Sequence, residues 1–469
     1  MKIIFVRAPS FDGKTYSAEG RCQQPLKASY DLLLPPLSSM YAASLQEKKG
    51  YDVSIIDCQA RWMPPQDFIK RVLDTSPDFL MFQSGVHTLN SDIEIANKIK
   101  KSDPLIKTAF FDVFPTILHK KISKEKGIDF VVRGEPEKTL YEIVDRFNNG
   151  GDLSNIPGTT IIHNGKMVVN EEREPIDLNT LPFPARHLIN IDDYIQPFTY
   201  NTYQPIQTSR GCSYQCIFCI APKYYGRKER FRSVESIIKE IEECVKKYEI
   251  HWFYFFSDTF TRKREQIIDL CKEIIDRDLN IHFWGNSRVD TIDEEMAKYL
   301  KEAGCESLSF GIESGNPETL ERIKKRITTE ESKNAIRICK EYGIVSNAFV
   351  IVGFPWENKE MIMNTINFVK KLDPDFAQFV TPIPFPSTEL YEISKKENLI
   401  VNPDVFDNYQ TCVVKTHDLS SEELRKIVKN AHLRFYIRPR KIYSLLQKER
   451  LATHLRAGVP ILIHRLRNR

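Results

Sequence analysis

Residues 208–219 read Thr-Ser-Arg-Gly-Cys-Ser-Tyr-Gln-Cys-Ile-Phe-Cys, and the fold is decided by what this stretch is and where it falls. It follows a short strand-like run, Pro205 to Thr208, and places Cys212, Cys216 and Cys219 with three and two residues between them. Thiols this close suit a soft metal centre, with a structural zinc site or unrelated core cysteines as the alternatives. Zinc sites usually close with a fourth ligand, but no cysteine pair follows at finger-like spacing. Cys244, Cys271 and Cys339 fall among helical apolar residues, as core cysteines do. Three thiolates on a four-iron cluster would leave one iron open to a ligand, which is what chemistry at such a cluster requires.

Downstream, strand-like runs recur at Trp252 to Phe256, Ile281 to Trp284, Ser307 to Gly311, Val345 to Val352 and Phe376 to Val380. Helical patterns separate them, such as Val234, Ile237, Ile238, Ile241 and Val245 behind a Ser233 cap. Six βα units in this span predict a partial (β/α)6 barrel over residues 204–382, with its active site at the carboxyl ends of the strands. The cysteine loop leaves the first of those ends.

Upstream, residues 1–150 alternate strands at Lys2 to Val6, Asp52 to Ile56, Phe79 to Gln83, Lys107 to Phe111 and Phe130 to Val132 with amphipathic helical stretches. That order predicts a doubly wound parallel, Rossmann-like α/β sheet, which binds ligands at its strands' carboxyl ends. Between the two domains, over 151–203, Thr159 to Ile162 and Met167 to Val169 flank Asn164-Gly165, a hairpin signal, and a Pro-rich connection follows.

Hydrophobic residues make up 41% and charged residues 28% of the 469, a soluble globular composition that excludes disorder and fibre. The first apolar run, Ile3 to Val6, is too short for a signal peptide, no stretch is long enough to span a bilayer, and the cysteines show no disulfide framework; a cytoplasmic address is expected. The charge is uneven: residues 434–469 hold ten lysines or arginines against one acid, while the remainder is mildly acidic, which argues against nucleic acid as a partner. In the C-terminal extension, 383–469, these cations interleave with apolar residues from Leu433 to Leu466. The tail is expected to be either a helical pair packed on the barrel or a peripheral contact with an anionic membrane face. Motifs for phosphate loops, serine hydrolases and zinc proteases are missing.

Cys212, Cys216 and Cys219, with Phe218 before the last, resemble the CxxxCxxC signature of radical S-adenosylmethionine enzymes. Residues 36–57 and 129–139 resemble the cobalamin-binding-type domain that precedes the barrel in one branch of that family, and FFSDTFT, NSRVD, FGIESGNPETLERIKK, IVGFPWE and TPIPFPSTELY resemble its later strand ends. The resemblance implies that the three cysteines hold a 4Fe-4S cluster whose fourth iron is chelated by S-adenosylmethionine. Phe218 would face the adenine, and Ser257 and Asp258 would hold the methionine amino group. Asn286, Ser287 and Arg288 would meet the ribose and carboxylate, and Glu313 and Ser314 would end the fourth strand. For Asp258 the residues alone also allow a helix cap, and for Glu313 an ion pair with Arg322 or Lys324.

The implied reaction generates a deoxyadenosyl radical that attacks an unactivated carbon of a lipid, tetrapyrrole or antibiotic precursor. An electron donor such as flavodoxin or ferredoxin would supply the cluster. Methyl transfer is the outcome if cobalamin is bound; cyclisation, rearrangement or carbon-carbon bond formation is the outcome if it is not. Two places depart from the cobalamin-binding pattern. Arg7 to Gly13 carries no histidine for cobalt, and Phe111-Asp112 with Phe114-Pro115 stands where glycines often let the cofactor tail approach, so that these side chains could fill the groove. Ser84, Gly85 and His87 remain candidate contacts. A non-catalytic iron-sulfur or corrinoid-binding protein of the same fold is the alternative, opposed by the filled strand ends.

Overall fold

A computed structural model describes residues 1–20, 22–26, 32–197, 199–403, 412–439 and 441. The N-terminal sheet contains β1 (Lys2–Arg7), β4 (Asp52–Asp57), β5 (Phe79–Gln83), β6 (Lys107–Phe111) and β7 (Phe130–Val132), all parallel, in the order β4-β1-β5-β6-β7. Their apolar runs are buried on both faces because helices cover both sides, which is why they show little alternation. The hairpin expected in the connection, β8 (Thr159–His163) and β9 (Lys166–Val169), adds two antiparallel strands to this same sheet next to β7.

A second hairpin has no counterpart in the sequence reading. Strands β2 (Thr15–Glu19) and β3 (Cys22–Leu26) form a separate antiparallel pair lying across the carboxyl ends of the N-terminal sheet.

The barrel begins with β10 (Tyr203–Gln207) and the short pair β11 (Ser209–Arg210) and β12 (Arg230–Phe231). It continues through β13 (Trp252–Phe256), β14 (His282–Ser287), β15 (Cys305–Glu313), β16 (Val345–Ile351) and β17 (Phe376–Val380). Strand order β10-β13-β14-β15-β16-β17, parallel throughout, is the six-stranded open barrel that the alternation predicts. Cys244, Cys271 and Cys339 lie in its core, as expected, and burial pushes all three thiols up, Cys244 and Cys339 to about 12.

Two apolar clusters join the domains. Leu34, Leu37, Met40 and Tyr41 pack on Tyr203, Tyr254 and Phe256, and Val113 and Phe114 pack on Ile220, Tyr224 and Tyr225. The carboxyl ends of the two sheets therefore face each other.

The helix Ser421–Tyr436 packs on the last barrel strand, where the Tyr436 hydroxyl bonds both backbone groups of Ala377 and Arg438 pairs with Asp373 at 2.9 Å. The amphipathic basic tail beyond residue 441 lies outside the described residues. Among the described residues no helix is long and apolar enough to cross a membrane.

Asp92 is one of the buried acids expected to make the N-terminal domain pH-sensitive, with Glu19 and Asp112, whose carboxyls burial also pushes up. Asp92 accepts from the Thr88 hydroxyl at 2.8 Å and is 1% exposed; burial pushes its carboxyl from 3.8 up to about 7 against the hydrogen bonds it receives. The folded form thus binds this proton more tightly than the unfolded chain. The group's contribution is expected to fall as pH rises from about 4 to about 7 and to level off above, by at most about 4 kcal/mol. Denaturant unfolding at pH 5 and pH 8 checks this, and Asp92→Asn should reduce the difference; an equal pH response in the variant would exclude Asp92 as a source.

Candidate active site

The cysteine loop is held by its backbone. Cys212 N donates to Gly226 O at 3.3 Å, Cys219 N to Cys216 O at 3.2 Å, and Ile217 N to Ile323 O at 3.2 Å, while Ile217 O accepts from Leu390 N at 3.0 Å. Gly211 has φ +91°, and a Cβ there would meet Lys228 O at 2.3 Å, so only glycine lets the chain turn into the loop. The three cysteines are half-buried at the barrel mouth. Among the described residues no set of three or more His, Cys, Asp or Glu side chains gathers around a single ion's position. A four-iron cluster takes each thiolate on a different iron and needs no such convergence. A half-exposed donor set of three thiols on a rigid loop fits the cluster.

Opposite the loop, a gap of about 10 Å³, roughly the room for one water, is lined by Val113 of the N-terminal domain and by Ala221, Tyr224, Tyr225, Phe256, Ser257 and Asp258 of the barrel. Ser257 Oγ and Tyr224 Oη are both buried without a hydrogen-bond partner among the described residues. Orphaned polar atoms beside a carboxylate are what the amino and hydroxyl groups of S-adenosylmethionine would satisfy, so this end of the expected site fits. Asp258 is not a helix cap: the following short helix starts after Thr259, without a side-chain cap bond. Asp258→Ala is expected to weaken S-adenosylmethionine binding about tenfold or more, the scale of one charge-assisted hydrogen bond, with cluster assembly unchanged. Equilibrium dialysis against the iron content of the same sample checks it, and unchanged affinity would exclude the role.

The other expected contacts are arranged differently. Asn286 Nδ2 donates to Tyr254 Oη at 2.7 Å, and the Ser287 hydroxyl bonds that of Thr261. Arg288 does not offer its Nε edge to a carboxylate ligand, because Asp290 already holds Nε and Nη2 at 2.9 Å each. Its guanidinium instead lies 3.5 Å from the Tyr214 ring centroid and within electrostatic reach of Cys216, a cation beside the cluster loop. Glu313 pairs with Lys325 at 2.7 Å, not with Arg322 or Lys324; both groups are buried, and Glu313 has φ +60° at a register shift between β15 and β16. Ser314 is turned into the protein, its hydroxyl 3.0 Å from that of Thr365. Phe218 packs against Phe354 of the IVGFPWE stretch, with centroids 6.1 Å apart.

Sequence reasoning missed the clamp on the loop's entry. Arg210, two residues before Cys212 and 1% exposed, bonds Glu137 at 2.6 Å, Glu135 at 3.0 Å and Gln207 at 3.1 Å, and its guanidinium lies over the rings of Tyr41 and Tyr225. Arg230, its register partner across β11–β12, also pairs with Glu135. Glu135 and Glu137 stand in the RGEPEKT stretch of the N-terminal domain. The signal was present as a quoted resemblance but named no partner.

At the N-terminal domain, Asp112, with φ +98°, and Phe114 are both buried after β6, and Phe114 meets Phe385 edge to face, centroids 5.6 Å apart. The fold and placement suit a corrinoid between the domains.

Comparison with known proteins agrees with this reading. Residues 206–369 match the radical SAM superfamily and residues 24–144 the B12 binding domain. The chain is 34% identical over 411 residues to an uncharacterised methyltransferase of Pyrococcus horikoshii, covering 87% of this chain and 88% of the relative. It is 28% identical over 421 residues to the anaerobic magnesium-protoporphyrin IX monomethyl ester cyclase of Rubrivivax gelatinosus, covering 86% and 74%. Among solved structures it is similar to OxsB, a cobalamin-dependent S-adenosylmethionine radical enzyme, with TM-score 0.73, 18% identity, and 97% and 72% coverage. It is also similar to the radical S-adenosylmethionine methyltransferase TsrM of Kitasatospora setae, with TM-score 0.67, 18% identity, and 84% and 74% coverage. With its cysteine loop at the mouth of a six-stranded barrel and a Rossmann-like domain closing over it, this chain belongs to the radical SAM superfamily and carries the B12 binding domain in front.

Proposed function

We propose that the protein is a radical methyltransferase, moving a methyl group from S-adenosylmethionine to an unactivated carbon of a small molecule with a corrinoid as carrier. One observation carries this: Val113, just past β6, and Ser257 and Asp258, just past β13, line the same gap, so the ligand edges of both domains open on one point. When bound, the cluster supplies the electron that cleaves S-adenosylmethionine, and the corrinoid supplies the methyl carrier. The chain's own residues do the rest. Ser257 and Asp258 orient the amino end of S-adenosylmethionine, and the buried tyrosines Tyr224 and Tyr225 keep water from the gap. Arg288 places positive charge near Cys216.

Lys223, Arg227 and Lys228 are exposed beside the cluster loop without an acidic partner among the described residues, which fits an acidic donor such as flavodoxin or ferredoxin. Named relatives include a hopanoid methylase and a magnesium-porphyrin cyclase, so a lipid or tetrapyrrole substrate is the reading for this chain. A cytoplasmic address with the basic tail on an anionic membrane face goes with such a substrate.

Likeness to the cyclase over 86% of this chain favours ring closure as the second reading. Anaerobically reconstituted protein given S-adenosylmethionine labelled in its methyl group, with candidate lipids and porphyrins, separates the two. Label in the product with deoxyadenosine formed supports methyl transfer. Deoxyadenosine with an unlabelled, cyclised product supports the second, and neither deoxyadenosine nor label overturns both.

A further inference from the structure

Strands β14–β17 of the barrel alternate strictly between a buried and a half-buried face. Phe283, Leu308, Phe310, Ala348, Val350 and Phe379 turn to the helical layer and are at most 1% exposed. Their alternates turn into the barrel, and Asn286, Ser307, Ser309, Asn347 and Gln378 are all half-buried there. The register sets Asn286 beside Ser309 and Ser309 beside Asn347, one polar row across three strands. Gln378 lies one row nearer the carboxyl ends, beside Phe349.

These groups are far from saturating one another. Asn347 Nδ2 donates to Ser309 Oγ over a long 3.4 Å, and among the described residues neither the Gln378 amide nor the Ser307 hydroxyl has a hydrogen-bond partner. Aromatic faces complete the lining: Trp284 stacks on Tyr254, centroids 5.7 Å apart, and Phe349 and Phe376 alternate with the amides of β16 and β17. Every inward side chain between the two ends of these strands is uncharged. The charged groups at the ends are already bonded to one another. His282 meets Glu306 at 2.9 Å at the amino ends; at the carboxyl ends Glu313 and Lys325 pair above Gly311, and Asp290 holds Arg288.

A carboxylate entering this lining would leave water for neutral amides and hydroxyls and meet no uncommitted cation. A hydroxyl, carbonyl or amide group would find donors and acceptors at the same places. We propose that Asn347 and Gln378 are specificity-determining residues, and that the lining they share admits only an uncharged part of the substrate, a ring or chain bearing hydroxyl, carbonyl or amide groups. The proposal rests on the small-molecule reading above and narrows it. A neutral lipid alcohol or a tetrapyrrole ester enters; a fatty acid or a porphyrin with free propionates does not.

Equilibrium dialysis of the anaerobically reconstituted full chain against two matched pairs reads this selection without turnover: lithocholate with its primary amide, and protoporphyrin IX with its dimethyl ester. In at least one pair the neutral member is expected to bind about tenfold tighter than its acid, and Gln378→Leu to weaken that neutral member about tenfold, the scale of one hydrogen bond. Gln378→Lys supplies the missing cation and should narrow or reverse the preference. Acids bound as tightly as their neutral partners in the wild type, or a preference unmoved in Gln378→Lys, overturn the selection. Binding of none of the probes overturns the lining as a ligand site. A neutral preference that follows the Gln378 variants, with no label passed from S-adenosylmethionine to any substrate, supports the selection and counts against methyl transfer alone.

Discussion

Replacing Cys216 with alanine is expected to leave a folded protein with little or no iron and no deoxyadenosine formation. The loop that carries Cys216 is tied down by backbone hydrogen bonds to Ile323, Leu390 and Gly226, none of which involves the thiol. Cys216 is half-buried, so its loss opens no core cavity. The remaining pair, Cys212 and Cys219, can hold two corners of a cluster but not the third. An incompletely ligated cluster exchanges with solvent and is lost, whereas three thiolates keep three irons and leave the fourth for S-adenosylmethionine. Wild-type protein purified and reconstituted without oxygen should hold about four iron and four sulfide per chain, and the variant a small fraction of that, with superimposable far-ultraviolet circular dichroism. Tightly bound zinc without iron in the wild type would overturn the assignment. So would full iron content in the variant.

Arg210→Met should be the most damaging change at the domain junction. The guanidinium sits between Glu135, Glu137 and Gln207, with the rings of Tyr41 and Tyr225 over its faces, and has no contact with water that could soften the loss. Removing it strands Glu137, whose other oxygen has no hydrogen-bond partner among the described residues. Breaking one side of a buried ionic network costs about 3–5 kcal/mol, because an uncompensated charge stays inside. Thermal unfolding should show this as a clear fall in midpoint. The double variant Arg210→Met with Glu137→Leu should recover a large share, since apolar residues of similar volume replace buried ion pairs at little cost. A single variant as stable as the wild type, or a double variant worse than the single, would show that the clamp carries no such energy.

The barrel was legible because its strands are short stretches of five to nine residues carrying apolar or aromatic side chains, set between helices of clear period. The cysteine loop was legible because three thiols within eight residues need no tertiary information to be seen together. Where tertiary contacts decide, the sequence is silent. The hairpin β2–β3 reads as polar loop: Thr15, Ser17 and Glu19 are polar and Pro25 argues against a strand, yet Ser17 and Glu19 are buried by partners far along the chain. Arg288 could be named but not its partner two residues on, and Asp290 changes what that arginine can do. Glu313 found Lys325 rather than its neighbours because a left-handed residue at the strand's end turns its carboxylate toward the barrel mouth.

Strands β8 and β9 bear on how the molecule can be taken apart. They finish the N-terminal sheet on the β7 side, and Arg133, just past β7, donates to the carbonyls of Asn170 and Glu171 beyond β9. A piece ending at residue 150 would bare the outer edge of a buried parallel strand, a template for pairing with another molecule. Such a fragment is expected to self-associate through that edge, and corrinoid titrations on it would report on the aggregate. A separable corrinoid unit has to continue past Glu171, so the stretch that reads as a linker travels with the domain it leaves.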